Sequence, residues 1–236
     1  MPAQPQDPRL ALVERFFDGT GRSYDAMVHT ATFGIDRLWK RRIVDLIPPD
    51  ARRVADLACG TGISTLAIAR RLPHCHVVGV ELRDEYLSIA REKLRRPGQP
   101  GNIEWVLSRA EDYRSPVPFD CISSSYLAKY AELPRLVGNA WDMLRPGGLF
   151  LMHDFTYPPR RELVLLWRLY FKALQVLGGP LFPAWREIYH GLPRLIEQTR
   201  WLQELPAELQ ARGFTDIRRE DLTLYGSAIV TARRPT

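Results

Sequence analysis

Apolar residues return at helical spacing over positions 9–17 and again over 34–47, with Gly19, Gly21 and Gly34 punctuating the two segments. Pro48-Pro49 closes this region, and the pattern then becomes an alternation. A buried strand is predicted over 53–58, a helix over 63–72 that Pro73 ends, and a second strand over 76–81. Asp84 is placed to cap a helix running to about residue 95. The turn Pro97-Gly98-Gln99-Pro100-Gly101 leads into a third strand at 102–107, and a fourth follows at 119–123. A helix over 133–144 stops at Arg145-Pro146-Gly147-Gly148, before a fifth strand at 149–155. Residues 157–205 break the rhythm, being helical and rich in Leu, Trp, Tyr and Phe. A last unit supplies a helix at 206–212 and strands at 214–221 and 227–232. Short connections between alternating strands and helices imply a mostly parallel sheet covered on both faces, an α/β fold. The chain then divides into a tail and helices at 1–47 and a sheet domain at 48–236, with a helical insert at about 157–205.

Composition narrows the class without naming a chemistry. The 236 residues suit one domain with elaborations. The net charge of +6 would suit an anionic partner. The basic residues are dispersed, however, as in Arg52-Arg53, Arg95-Arg96, Arg160-Arg161 and Arg218-Arg219, and they read as solvated faces. Cys59, Cys75 and Cys121 form no CxxC pair and fall at or near strands, so they read as small buried hydrophobes in a reducing compartment. Residues 1–8 are polar and Pro-rich, with no basic segment leading into an apolar run, so no signal peptide is expected. No stretch of about 18 uncharged apolar residues suggests a span. No grouping of His, Cys and carboxylates has metal-ligand spacing, so no metal is expected.

The central chemical signal is Val54-Ala55-Asp56-Leu57-Ala58-Cys59-Gly60-Thr61-Gly62, where a strand hands over to a helix. Gly60 and Gly62 would let backbone approach a ligand closely. The dinucleotide fingerprint needs a third glycine three residues on, where this chain has Thr65. Asp56 beside the loop also disfavours a pyrophosphate and suits a cationic, amino-bearing ligand. Glu81 ends the second strand, where an acid accepts hydrogen bonds from ribose hydroxyls. Beyond the third strand lies Ser108-Arg109-Ala110-Glu111-Asp112, whose acid could accept from an adenine amino group. Three acids at three successive strand ends are more specific than a lone G-x-G.

DLACGTG, VVGVE, the Arg109-Ala110-Glu111 turn and LRPGG before the fifth strand together resemble class I S-adenosylmethionine (SAM)-dependent methyltransferases. The resemblance implies a Rossmann-like, seven-stranded sheet with an antiparallel last strand, and SAM across the ends of the first two strands. It would place Tyr24, Asp56, Ala58, Gly60, Thr61, Gly62, Glu81, Leu82, Arg109, Ala110, Glu111 and Ser125 around SAM, with residues 1–47 as a cap over that site. Amino-group methylases carry an Asn/Asp-Pro-Pro-aromatic tetrad after the fourth strand. This chain reads Ser123-Ser124-Ser125-Tyr126 there, and Cys121 lies within a strand rather than on the loop a cytosine-C5 nucleophile needs. No nucleic-acid-reading module is recognisable.

The flanks are more particular. Phe17-Asp18, Tyr24-Asp25-Ala26-Met27 and Phe33-Gly34-Ile35-Asp36-Arg37-Leu38-Trp39-Lys40-Arg41 resemble the N-terminal region of the ring C-methyltransferases of ubiquinone and menaquinone biosynthesis. Tyr189-His190-Gly191-Leu192-Pro193, Gly213-Phe214 and Asp221-Leu222-Thr223 resemble elements of their C-terminal half, so the likeness runs from about residue 14 to 231. After the fourth strand the family usually reads Ser-Phe-Gly-Leu-Arg-Asn, against Ser125-Tyr126-Leu127-Ala128-Lys129-Tyr130 here. Lys129 keeps a cation but loses the planar fork of Arg.

The acceptor implied is a reduced, lipid-tailed quinol, methylated on a ring carbon. A different small aromatic or lipophilic acceptor stays open, as does a SAM-binding partner without turnover. Such a site must align the reactants, exclude water and help a phenolic proton leave. Asp154 is the preferred base, with Lys129 and Tyr130 as further catalytic candidates. Tyr126, His153, Tyr189 and His190 are expected to contact the acceptor. The insert 163–174 could be buried, line a pocket for an isoprenoid tail, or rest on a bilayer surface with Arg160, Arg161, Arg168 and Lys172 near headgroups. The protein is expected in the cytoplasm, with a peripheral hold on the inner face of the membrane. The sequence leaves a homodimer open.

Overall fold

A computed structural model describes residues 7–236; the Pro-rich start at 1–6 lies outside the described residues. Three helices come first: α1 (Pro8–Phe17), α2 (Tyr24–Ala31) and α3 (Asp36–Leu46). The sequence reading missed α2, although Tyr24, Met27, Val28 and Ala31 repeat at helical spacing, and the last three are buried. The alternating region follows as β1 (Arg53–Leu57), α4 (Ile63–Arg71), β2 (His76–Glu81), α5 (Asp84–Leu94), β3 (Ile103–Leu107), β4 (Phe119–Ser125), α6 (Leu133–Met143) and β5 (Leu144–Phe155). The insert contributes α7 (Arg161–Ala173), a π-type turn at Leu174–Gly178, the single turn α8 (Gly179–Leu181) and α9 (Arg186–Gln198). α10 (Trp201–Arg212), β6 (Thr215–Leu222) and β7 (Ser227–Arg233) complete the chain.

The seven strands stand in the order β3-β2-β1-β4-β5-β7-β6. The first five are parallel, and β7 runs antiparallel to both β5 and β6. This is the expected architecture. β1 and β2 are almost wholly buried because helices cover both faces, which is why they read as continuous apolar runs. On one face Leu136, Val137, Ala140, Leu205 and Leu209 of α6 and α10 pack on Leu57, Ile122 and Phe150. On the other, Val44 and Ile47 join Ile68 of α4 against Val54, Val77 and Cys121. α3 therefore shares the core of the sheet. All three cysteines are buried and free.

Two local expectations change. Asp84 is not the cap of α5: Arg83 holds the extended cap position, and Asp84 is the first helical residue, its charge favourable at the helix N-terminus. β5 begins at Leu144 rather than 149, because Leu144 already pairs with Phe119 before an irregularity brings Leu149 opposite Cys121. Gly147, at φ 74°, makes the bend inside that strand.

Candidate active site

The register sets Leu57, Val80 and Ser124 side by side, so β1, β2 and β4 end together along one edge. Just beyond, Ala58 and Gly60 turn the chain in the left-handed region at φ 56° and 58°. This turn aims the Gly60 N–H at Glu81, whose Oε2 accepts it at 2.8 Å, while Oε1 accepts from the Arg83 amide at 2.9 Å. Burial raises the Glu81 pKa, and the two backbone donors oppose that shift. A cavity of about 110 Å³ opens here, lined among others by Gly60, Glu81, Leu82, Arg109, Ala110 and Ser125.

A smaller cavity of about 30 Å³ lies under the same loop and is lined by Lys40, Asp56, Thr61 and Ser64. Asp56 accepts from Thr65 Oγ1 at 2.6 Å and from Ser123 Oγ at 3.3 Å. Burial pushes its pKa up to about 6 against those hydrogen bonds. Lys40 donates at 2.6 Å to both oxygens of Asp36, which also receives the Tyr126 hydroxyl at 2.5 Å. A buried acid and a buried base thus face one small space, a donor set that suits an amino-acid zwitterion. Beside it, Glu81 offers the acceptor a ribose needs. The residues fit SAM: Glu81 would face a ribose, and Asp56 and Lys40 an amino-acid zwitterion.

Next to these lies an apolar chamber of about 80 Å³ that shares Phe17, Tyr24, Tyr126 and Tyr130 with the larger cavity. Its roof is a separate small core in which Phe16, Met27 and Val28 meet Trp185, Ile188 and Tyr189 of the insert. Among the described residues, Lys129 is the single charged side chain in its lining. The Lys129 side chain is 2% exposed, and its Nζ lies 2.6 Å from Asp154 Oδ1, a side chain that is 0% exposed. Nζ also donates to the Tyr126 carbonyl at 3.0 Å and stands 4.6 Å from the centre of the Tyr130 ring. Desolvation lowers the Lys129 pKa, and the Asp154 charge opposes it. Tyr126 sits at φ 66°, unusual for an aromatic residue, and stacks on Phe155 at 4.7 Å. It lines all three spaces.

The model of the ubiE/COQ5 methyltransferase family matches residues 4–233. The chain belongs to that family. It is 32% identical over 217 residues to a demethylmenaquinone methyltransferase of Thermus thermophilus, covering 90% of this chain and 96% of that one. It is 30% identical over 224 residues to the ubiquinone/menaquinone biosynthesis C-methyltransferase UbiE of Salmonella newport, covering 92% and 88%. Among solved structures, the geranyl diphosphate C-methyltransferase of Streptomyces coelicolor superposes with a TM-score of 0.59 at 15% identity, covering 84% of this chain and 79% of that one. Phosphoethanolamine N-methyltransferase 2 of Haemonchus contortus gives 0.61 at 15% identity, over 84% of this chain and 52% of the other. These structural likenesses carry the fold. This chain is a SAM-dependent methyltransferase.

With the family established, each expected site residue can be placed. Tyr24, Asp56, Ala58, Gly60, Thr61, Glu81, Leu82, Arg109, Ala110, Glu111 and Ser125 all line the first two cavities. Gly62 does not. At φ 81°, an added Cβ would come within 2.7 Å of the Trp105 ring and 3.0 Å of the Ala90 Cβ, so its missing side chain serves packing of α4 on β3 and α5. Glu111 is present but engaged, accepting from Arg109 Nε at 3.0 Å and from the Glu132 amide at 3.1 Å. Asp154 lies behind Lys129, its oxygens taken by the Lys129 ammonium and by the Lys129 and Phe155 amides, so it reaches the chamber only through the lysine. Tyr126, Tyr130 and Tyr189 line the chamber.

The two histidines do not. His153 is fully buried on β5, with Nδ1 2.9 Å from Ser125 Oγ, and burial holds its pKa well below 6.5, followed by the charges of Lys40 and Lys129. His190 is exposed on α9 with Nδ1 at its own helix, 3.0 Å from the Arg186 carbonyl. One helical step from Tyr189 turns it outward. The sequence reading missed Lys40, Asp36 and Phe17. Lys40 and Asp36 sit four apart on α3, a spacing that signals an ion pair but not the cavity it faces. Among the described residues no helix is long and apolar enough to cross a membrane, and no group of three or more His, Cys, Asp or Glu could hold a metal ion.

Proposed function

We propose that this methyltransferase transfers a methyl group to a ring carbon of a reduced, lipid-tailed quinol. The observation that carries the reading is Lys129, one cation in an otherwise apolar chamber beside the cofactor cavities. When bound, SAM supplies an electrophilic methyl group on a positively charged sulfur. A quinol hydroxyl has a pKa of about 10 in water. Of the three N–H donors of Lys129, one goes to Asp154 and one to the Tyr126 carbonyl, leaving one for a ring oxygen. That donor stabilises the phenolate whose ortho carbon attacks, and in a chamber with little water it acts at high strength. Asp154 is a positioning residue that keeps the lysine charged and aimed. The Tyr126 ring, fixed by Phe155 and Asp36, forms a wall shared by the chamber and both neighbouring cavities, and so orients the acceptor toward the methyl group for in-line attack. α1 and α2 cap both spaces and exclude water. Overall, a ring hydrogen is replaced by methyl and one proton is released.

The names of the Thermus and Salmonella relatives support the same acceptor class. Supporting a meeting with that acceptor at an anionic membrane surface, Leu165, Val176, Leu177 and Leu181 are each at least 60% exposed, with Arg160, Arg161 and Lys172 exposed nearby in the chain. Flotation with anionic vesicles at low salt tests the surface contact, and absence of any bound fraction refutes it. The reaction is tested with methyl-labelled SAM and a reduced demethylated prenyl quinol. Mass spectrometry should find the label on carbon. Label on oxygen, or equal turnover of the oxidised quinone, would overturn the reading.

A further inference from the structure

β4 ends on Ser123, Ser124 and Ser125, and the first two hydroxyls have fixed partners. Ser123 Oγ donates to Asp56 at 3.3 Å, and Ser124 Oγ donates to the Leu57 carbonyl at 2.7 Å. The third differs. The parallel register sets Ser125 beside His153 of β5, and Ser125 Oγ lies 2.9 Å from His153 Nδ1. Which of the two atoms donates depends on the tautomer of the ring.

The surroundings of the ring choose between the tautomers. His153 is 0% exposed, and burial, followed by the charges of Lys40 and Lys129, keeps it neutral. A neutral imidazole carries one N–H and one bare nitrogen. Nε2 is buried and has no hydrogen-bond partner among the described residues. Aromatic rings flank it instead: Tyr126 at 5.1 Å and Trp39 at 5.6 Å between centroids, tilted by 58° and 51°. An aromatic face is negative, so it accepts an N–H weakly and repels a lone pair. The ring proton therefore belongs on Nε2, which leaves Nδ1 bare. Ser125 then donates its hydroxyl proton to Nδ1, and its oxygen turns lone pairs alone toward the space in front of it.

That space is the cofactor's. Ser125 lines both the cavity at Glu81 and the cavity at Asp56 and Lys40. In SAM the sulfonium joins the ribose to the methionine chain, so a residue that borders the places for both borders the sulfur between them. A positive sulfur is favoured by oxygen lone pairs and disfavoured by a hydroxyl hydrogen.

We infer that His153 is a positioning residue: it takes the Ser125 hydroxyl proton at Nδ1, fixes the Ser125 oxygen as an acceptor for the sulfonium, and so favours cationic SAM over its neutral product, S-adenosylhomocysteine. The charge on sulfur disappears with the methyl group, so the preference acts on the exchange of product for fresh SAM. The inference rests on SAM lying across these two spaces and is independent of the acceptor.

Two measurements test it. The first needs no ligand. Nitrogen–proton NMR of protein with isotope-labelled histidine, the His153 signals being identified by their loss in His153→Asn, should show a neutral ring protonated at Nε2 from about pH 5 to 8. A ring protonated at Nδ1, or one that is charged in that range, would overturn the inference. The second measurement is the ratio of the S-adenosylhomocysteine Kd to the SAM Kd, by calorimetry. His153→Leu should lower this ratio about two- to ten-fold, the range for one hydrogen bond. His153→Asn keeps an acceptor one bond from Cγ, where Nδ1 stands, and should keep the ratio near the wild-type value. Ser125→Ala should lower it as His153→Leu does, and His153→Leu/Ser125→Ala should fall no further than Ser125→Ala. Mere damage to the cavity would weaken both ligands and leave the ratio unchanged. An unchanged ratio in His153→Leu or in Ser125→Ala, an equal loss in His153→Asn, or additive losses in the double variant would each overturn the positioning role. Should His153→Leu fail to fold, the tautomer and the Ser125→Ala ratio decide.

Discussion

Replacing Lys129 by Met tests the chamber most directly. The Lys129 and Asp154 side chains are 2% and 0% exposed and lie 2.6 Å apart, so the substitution strands a buried carboxylate. Breaking a buried pair in this way costs about 3–5 kcal/mol. Asp154 keeps two backbone donors, the Lys129 amide at 3.1 Å and the Phe155 amide at 2.7 Å, which places the expected loss near the lower end, about 3 kcal/mol. Denaturant unfolding measures it. Lys129→Met/Asp154→Asn should recover much of that stability, since no charge is left buried. Turnover should not recover. Losing a preorganised donor to a developing oxyanion costs about 10²–10³ in kcat. Affinity for SAM should stay at the wild-type value in both variants, because Lys129 lines the apolar chamber and neither of the cavities beside Glu81 and Asp56. The pair of variants separates folding from chemistry. If the double variant regained wild-type kcat, or if SAM affinity fell in step with kcat, the assignment of Lys129 to the acceptor would be refuted.

Three further outcomes are expected. Glu81→Ala should weaken SAM binding by about 1.5–3 kcal/mol, the range for hydrogen bonds to a charged group, and calorimetry showing unchanged affinity in folded protein would remove Glu81 from the site. Burial raises the Asp56 pKa from 3.8 to about 6, so its contribution to stability is complete below the unfolded value and is lost as pH rises through about 6. Asp56→Asn should therefore stabilise the protein, unfolded without added SAM at neutral pH, by up to about 3 kcal/mol, at 1.36 kcal/mol per pKa unit, and should flatten the rise of SAM affinity between about pH 5 and 7 that an ammonium-binding carboxylate imposes. A variant that bound SAM with the wild-type pH profile would exclude Asp56 as the ammonium acceptor. Gly62→Ala combines a left-handed backbone at φ 81° with a 2.7 Å approach to Trp105, and thermal unfolding should show a loss of at least about 1 kcal/mol. An unchanged melting temperature would mean that α4 is free to shift.

The sheet was legible in the sequence because its information is local. Continuous apolar strands, helix stops at Pro73 and at Pro146-Gly147, and short connections leave few topologies open, and the strand boundaries fall within a few residues of those observed. The three candidate acids could be placed on one edge for the same reason: in a parallel sheet the carboxyl ends of the strands lie together, so Asp56 and Glu81, at the ends of β1 and β2, and Glu111, shortly beyond β3, were tied to that edge by position alone. What the sequence did not contain is direction and distance. Nothing local says that Asp154 faces Lys129 rather than the chamber, that His153 turns into the core, or that Lys40, on a helix well before the glycine loop, looks at Asp56. Gly62 illustrates the limit most clearly. Its motif reads as room for a ligand, and the fold spends that room on Trp105 from β3. The insert could be read as a pocket lining, but the shape of the chamber was out of reach, since its walls come from α1, α2, α7 and α9 together. Apolar residues on such helices have the same periodicity whether they fill a core or leave a space, and only the packing of one helix against another settles which.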